Sequence, residues 1–208
     1  MKMFKYILPL ILVILLQAAG TAQYVEYKAT ESSELWFDGT STLHDFTCHA
    51  NEINASVVFS PALLDGNSAD VQRGQVVIPV KKIKNENDAL TKNMYKTLEP
   101  DKWPEITFDL KAIDVPDAQA IDKTIEAALT GDLTVKGETR EISVPVNVSG
   151  IGNADTLQVK GNYLLTLSNF DIKRPSFFLG TLKVGDEIDI HFDLTFVQTE
   201  RYKELTTR

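Results

Sequence analysis

The chain has 208 residues, of which 43% are hydrophobic and 24% charged, and a formal net charge of −8. That length suffices for one domain with a real core and is short for two. The acidic balance, with no basic stripe carrying interleaved aromatics, argues against a nucleic-acid partner, and the single cysteine, Cys48, excludes an internal disulfide.

Residues 1–22 carry the three-part pattern of a secretory leader. Lys2 and Lys5 make a basic start, Ile7–Leu16 is an almost unbroken apolar run, and Ala18-Ala19-Gly20-Thr21-Ala22 supplies small residues. The run falls short of the roughly 20 residues a membrane span needs. Cleavage is expected between Ala22 and Gln23, which would place the mature chain in the periplasm or outside the cell. Residues 23–199 then form the folded domain, and 200–208 a polar tail.

The domain opens with two expected strands, Tyr24–Thr30 and Ser33–Thr40, followed by a turn-rich bend through Phe46. A strand from about Thr47 to Ser60 alternates Ile53, Ala55, Val57 and Phe59 with polar neighbours, and Pro61 ends it. Gly74–Ile83 is the next, with Val76, Ile78 and Val80 inward. The period then changes: Leu90, Met94 and Leu98 recur every four residues within Asn85–Leu98, which predicts a short amphipathic helix capped by Asn85 or Asn87 and closed by Pro100. Glu105–Ala112 returns to alternation.

The clearest unit is Leu129–Val148. Leu129, Gly131, Leu133 and Val135 share one parity before a short polar link at Lys136–Arg140, and Ile142, Val144, Val146 and Val148 share one after it. Side chains of a strand alternate faces, so this is a hairpin with one buried face. Pro145 cannot donate to a ladder, so a bulge or an unpaired position is expected there. Thr156–Ser168 and Glu187–Thr199 complete the set, separated by an irregular aromatic stretch at Phe170–Gly180. Some eight antiparallel strands and one helix either stack as a sandwich or close into a barrel, and an eight-stranded barrel has room for side chains or one small ligand. The pattern alone leaves both open.

An ordered set of motifs goes further. Gly39-Thr40-Ser41-Thr42-Leu43-His44-Asp45 comes first, then Asn93-Met94-Tyr95 before Trp103-Pro104-Glu105-Ile106-Thr107-Phe108. Next come Gly131-Asp132-Leu133-Thr134-Val135-Lys136-Gly137-Glu138-Thr139-Arg140, Phe170-Asp171-Ile172, and Val184-Gly185-Asp186-Glu187-Ile188. This order resembles the YceI-like polyisoprenoid-binding family over nearly the whole mature chain. The resemblance implies an exported, all-β, eight-stranded lipocalin-like barrel whose hydrophobic tunnel holds a prenyl quinone or prenyl phosphate, with no cofactor and no catalytic residue. Family members often carry Gly where this chain has Asp171.

The candidate ligand-binding residues are the large apolar groups of the interior: Phe37, Phe46, Phe108, Leu133, Leu165, Phe170, Phe177, Phe178 and Phe192, with Met94 on the helix. Such groups hold a hydrocarbon chain by removing its surface from water, although any of them could equally fill a core. His44 is a candidate polar group at the bend or near a ligand head. His44, Cys48 and His49 are metal-ligand types, but in an extended segment His49 points away from the other two, so no metal site is expected. Lys81-Lys82-Ile83-Lys84 and Lys173-Arg174 could pair with a pyrophosphate or simply face solvent. The expected partner is an isoprenoid lipid; transient membrane contact and a homodimer stay open, as do a non-catalytic stress-response or interaction module with a filled core and an enzyme acting on a hydrophobic substrate.

Overall fold

A computed structural model describes residues 23–61, 71–115, 124–150, 155–174, 176–177 and 182–203, with side chains unassigned at 23, 176–177, 182 and 200–203. Residues 1–22, the loop at 65–68, most of the turn at 150–155 and Phe178 lie outside the described residues.

Twelve strand segments form one sheet: β1 (Gln23–Ala29), β2 (Glu34–Ser41), β3 (Phe46–Ala50), β4 (Asn54–Phe59), β5 (Val71–Pro79), β6 (Ile83–Lys84), β7 (Glu105–Asp114), β8 (Thr124–Val135), β9 (Glu138–Ser149), β10 (Thr156–Thr166), β11 (Ser176–Phe177) and β12 (Leu182–Lys203). Eleven of them make eight staves, because three staves are bent pairs, and the two-residue β11 lies off the barrel, paired only with β12. β1 and β2 lie along one edge of the long β12, β4 and β3 lie against them, and β5 and β6 follow. From there each strand pairs with the next, through β7, β8, β9 and β10 to β12, and β12 returns to β1. The result is a closed eight-strand antiparallel barrel with one helix, α1 (Asp88–Leu98). Closure pairs most strand edges among the described residues, the exceptions being one end of the β9–β10 ladder and one end of the β5–β7 ladder.

The bends explain where alternation misleads. The expected single strand 47–60 is broken at 51–53, where Asn51 N–H bonds the Lys82 carbonyl at 3.0 Å. The expected strand 74–83 is interrupted by a 3₁₀ turn, Val80–Lys82. The last strand runs longer at both ends than its alternation predicts, because one end pairs with β2 and the other with β1. The β8–β9 hairpin keeps the predicted parity with a tighter turn, Lys136-Gly137, both residues at positive φ (53° and 81°). Gly suits that geometry and Lys does not. The salt bridge from Lys136 Nζ to Glu99 Oε1, 2.6 Å, ties this turn to the C-terminal cap of α1.

The helix closes one end of the barrel. Its N-cap Asn87 accepts from Ala89 N–H at 2.9 Å. Tyr95 Oη donates to the carbonyls of Lys81 and Ile83, at 2.7 and 2.9 Å, pinning the helix to the β5–β6 stave. Met94 and Leu90 pack on Cys48, Ile78 and Ile83, while Leu98 joins a cluster with Leu133, Val135, Leu165, Phe170 and Ile172. Near the other end Tyr27 and Phe59 stack at 5.3 Å in a third cluster.

Candidate functional site

The barrel is hollow. A cavity inside it is lined by 28 of the described residues, none of them charged, and only Ser56, Gln75 and Tyr163 among them carry polar side-chain atoms. It runs from Phe37 and Ile83 near the helix to Phe59 and Phe196 towards the far end. The room left for the centres of water-sized atoms is about 230 Å³, against the ~10–15 Å³ one water needs. This is no packing flaw. Inward-facing Phe37, Phe108, Leu129, Ile142, Val159, Ile190 and Phe192 are only partly buried, because one side of each faces the lumen.

Glycines keep the lumen open. Phe192 Cζ lies 2.6 Å from where a Cβ on Gly161 would stand, and Phe108 Cζ 2.8 Å from the same point on Gly131. Phe46 covers Gly39 likewise, and Leu110 covers Gly74. Each apolar group lies on bare backbone of the neighbouring strand and so hugs the wall. Tyr163 shares this wall, and burial raises its phenol pKa above the ordinary value.

The sequence candidates separate into groups. Phe37, Phe108, Leu133 and Phe192 line the lumen. Phe46 and Met94 pack in the Cys48 cluster under the helix, and Leu165 and Phe170 in the cluster beside it, without lining the lumen. Phe177 lies in β11, with its side chain undescribed, and Phe178 lies outside the described residues. His44 is exposed in the β2–β3 turn, its Nδ1 2.9 Å from the Asp45 carbonyl oxygen. The sequence reading favoured aromatics and passed over the aliphatic majority of the wall: Val57, Val76, Ile106, Leu129, Ile142, Val144, Val159 and Ile190 among them. Their inward parity was the available signal.

Cys48 faces the interior, fully buried, while its neighbour His49 is exposed. Desolvation, opposed by a hydrogen bond with Asn85 and reinforced by the charge of Asp38, pushes the thiol pKa up to about 11, so it is not a ready nucleophile. Lys81 pairs with Asp101 at 2.6 Å and Lys82 with Glu52 at 3.0 Å on the outside. His191 also faces outward, stacked on Trp36 at 5.2 Å, with Nε2 3.4 and 3.3 Å from Asp38 and Asp189 carboxylate oxygens.

Other motif residues serve the helix-closed end. Trp103 covers Gly137 in the hairpin turn. Asp186 accepts from Ser168 N–H (3.1 Å) and Oγ (2.7 Å), holding the 3₁₀ turn Leu167–Phe170. Asp171 closes that turn at φ 53°, the left-handed region that glycine occupies most easily and Asp tolerates better than most. The departure from the motif's Gly is thus a conformational one.

Comparison with known proteins agrees with this architecture. Solved structures that the chain resembles include Burkholderia cenocepacia BcnA (23% identity, TM-score 0.61, covering 78% of this chain and 95% of that one). They also include a polyisoprenoid binding domain from Saccharophagus degradans implicated in plant cell wall breakdown (16%, 0.63, 86% and 99%). A third is the Campylobacter jejuni YCEI protein (17%, 0.56, 76% and 85%). At these identities the likeness establishes the fold. No curated protein matches. The family model described as a YceI-like domain matches residues 27–196, the whole barrel from β1 into β12, and the chain belongs to that family.

Proposed function

We propose that this protein is an exported carrier that sequesters a long-chain polyisoprenoid-type amphiphile, a prenyl quinone or prenyl phosphate, and performs no chemistry on it. The observation that carries the reading is the uncharged, almost wholly apolar lumen. A hydrocarbon chain placed there gains about 25 cal/mol for each Å² of apolar surface removed from water. A charged head would find no partner inside and would stay outside the wall. A filled-core interaction module is the weaker reading, since glycines that let rings lie flat serve an open bore and not a packed one. The binding domain of Saccharophagus degradans, similar in fold and described as polyisoprenoid binding, supports the ligand class by likeness. The leader-like residues 1–22 support export, and the acidic surface suits release from anionic membranes over permanent attachment.

Native mass spectrometry of protein purified from its own host tests this. An adduct of polyprenyl mass, lost on solvent extraction and regained on incubation with a prenyl quinone or prenyl phosphate, is the expected result. Protein that arrives empty and takes up neither class overturns the proposal.

A further inference from the structure

The barrel wall is not equally sewn all round. β8 and β9 pair along twelve positions, from Thr124↔Ser149 to Val135↔Glu138, and β10 and β12 along eleven. β9 and β10 pair only from Gln158↔Ser149 to Gly161↔Val146. Both strands continue beyond that point, β9 down to Glu138 and β10 up to Thr166, yet no backbone pairing joins these described residues. The ladder stops where Pro145 begins, and proline has no N–H to offer. On the facing strand Gly161 admits the Pro145 carbonyl, whose oxygen lies 2.7 Å from where a Cβ would stand. Beyond this hinge the seam is held by side chains alone: Ile142, Tyr163 and Leu165 in the cluster with Phe170 and Ile172.

Ile142 and Tyr163 also line the lumen, so the unsewn seam borders the cavity directly. We infer that this β9–β10 seam is where a hydrophobic ligand crosses the barrel wall. Side-chain packing opens and recloses without breaking a ladder of backbone hydrogen bonds, whose buried groups would otherwise lose their partners. The helix and the Phe170 cluster obstruct the adjacent end, and the β5–β7 ladder, which also stops short, at Gln75↔Asp109, does so towards the opposite end of the barrel. The inference rests on the carrier reading and adds the path to it.

The test bridges the seam from outside. Continuing the β9–β10 register, Ser143 stands opposite Leu164, and both are exposed, outward and absent from the lumen lining. A Ser143→Cys/Leu164→Cys protein is joined with a reductant-cleavable bis-maleimide, and parinaric acid, a linear fluorescent polyene, reports uptake and release by stopped flow. The control places the same bridge across the sewn seam, in Thr130→Cys/Ser143→Cys, where those residues already pair. Expected is a slowing of both rates by about tenfold or more in the bridged seam, as for other gated sites, with unchanged equilibrium affinity. Cleavage of the bridge should restore the rates, and the control should not slow. Unchanged rates, or equal slowing in the control, overturn the seam as the path. Absence of parinaric acid binding in the unbridged protein overturns the carrier reading and the path with it.

Discussion

Val159→Phe separates a hollow barrel from a loosely drawn core. Val159 lies on β10, lines the lumen and is only partly buried. A phenyl group there would bury about 60 Å² more apolar surface than Val, worth about 1.5 kcal/mol, from which added side-chain ordering subtracts about 0.5 kcal/mol. The ligand-free protein should be unchanged or stabilised by up to about 1 kcal/mol. In a packed core the same enlargement costs about 1–3 kcal/mol, so the two cases differ in sign. A domain of this size moves about 2–4 °C in Tm per kcal/mol. Thermal and urea melts of delipidated protein measure the stability, and titration with parinaric acid measures binding. Adding Leu129→Phe, two staves away on β8 and also lining the lumen, should cut affinity by about tenfold or more, since each lost 1.4 kcal/mol is a factor of ten. A destabilisation beyond about 1 kcal/mol with binding intact would refute the reasoning.

Three further outcomes follow from the structure. Phe59→Ala removes a ring that is 1% exposed and stacked on Tyr27, and urea melts should show a loss of about 3–5 kcal/mol, in contrast to the tolerance at the half-buried Val159. Asp171→Gly should raise stability by about 1 kcal/mol by relieving the left-handed backbone at φ 53°, whereas Asp171→Val should lower it by at least as much; a neutral pair in urea melts would remove the strain from consideration. Cys48 holds its proton more tightly in the folded protein, burial pushing its pKa up to about 11 from an ordinary 9.0. Its contribution is therefore complete below pH 9 and is lost as pH rises through 11. Urea midpoints should fall more steeply over that window in the parent than in Cys48→Ala, and parallel curves would contradict the shift.

Much of this architecture is legible in the sequence because period-two alternation is imposed locally. Once Leu133 and Val144 must face inward, the hairpin's two faces and its register follow from the pleat. The helix is likewise written in the spacing of Leu90, Met94 and Leu98 and in the cap at Asn87. The motifs indicated the family, yet Trp103, Tyr95 and Asp186 turn out to pin one end of the barrel and do not touch the lumen. They were legible as a pattern and silent about their work, since each acts on a partner far along the chain: Gly137, Lys81 and Ser168.

Whether the apolar faces meet or enclose a void is a property of closure, and closure depends on how eight staves bend and shear together. No local window holds that information. The breaks at 51–53 and 80–82 let short segments share staves, and only the assembled sheet places Gly161 beneath Phe192 and Gly131 beside Phe108. Alternation tells a side chain which way to face; the neighbouring strand decides whether it reaches across the lumen or lies along the wall. The same holds at Pro145, where the missing N–H is written in the sequence, but only the tertiary pairing shows that the ladder fails to resume beyond it.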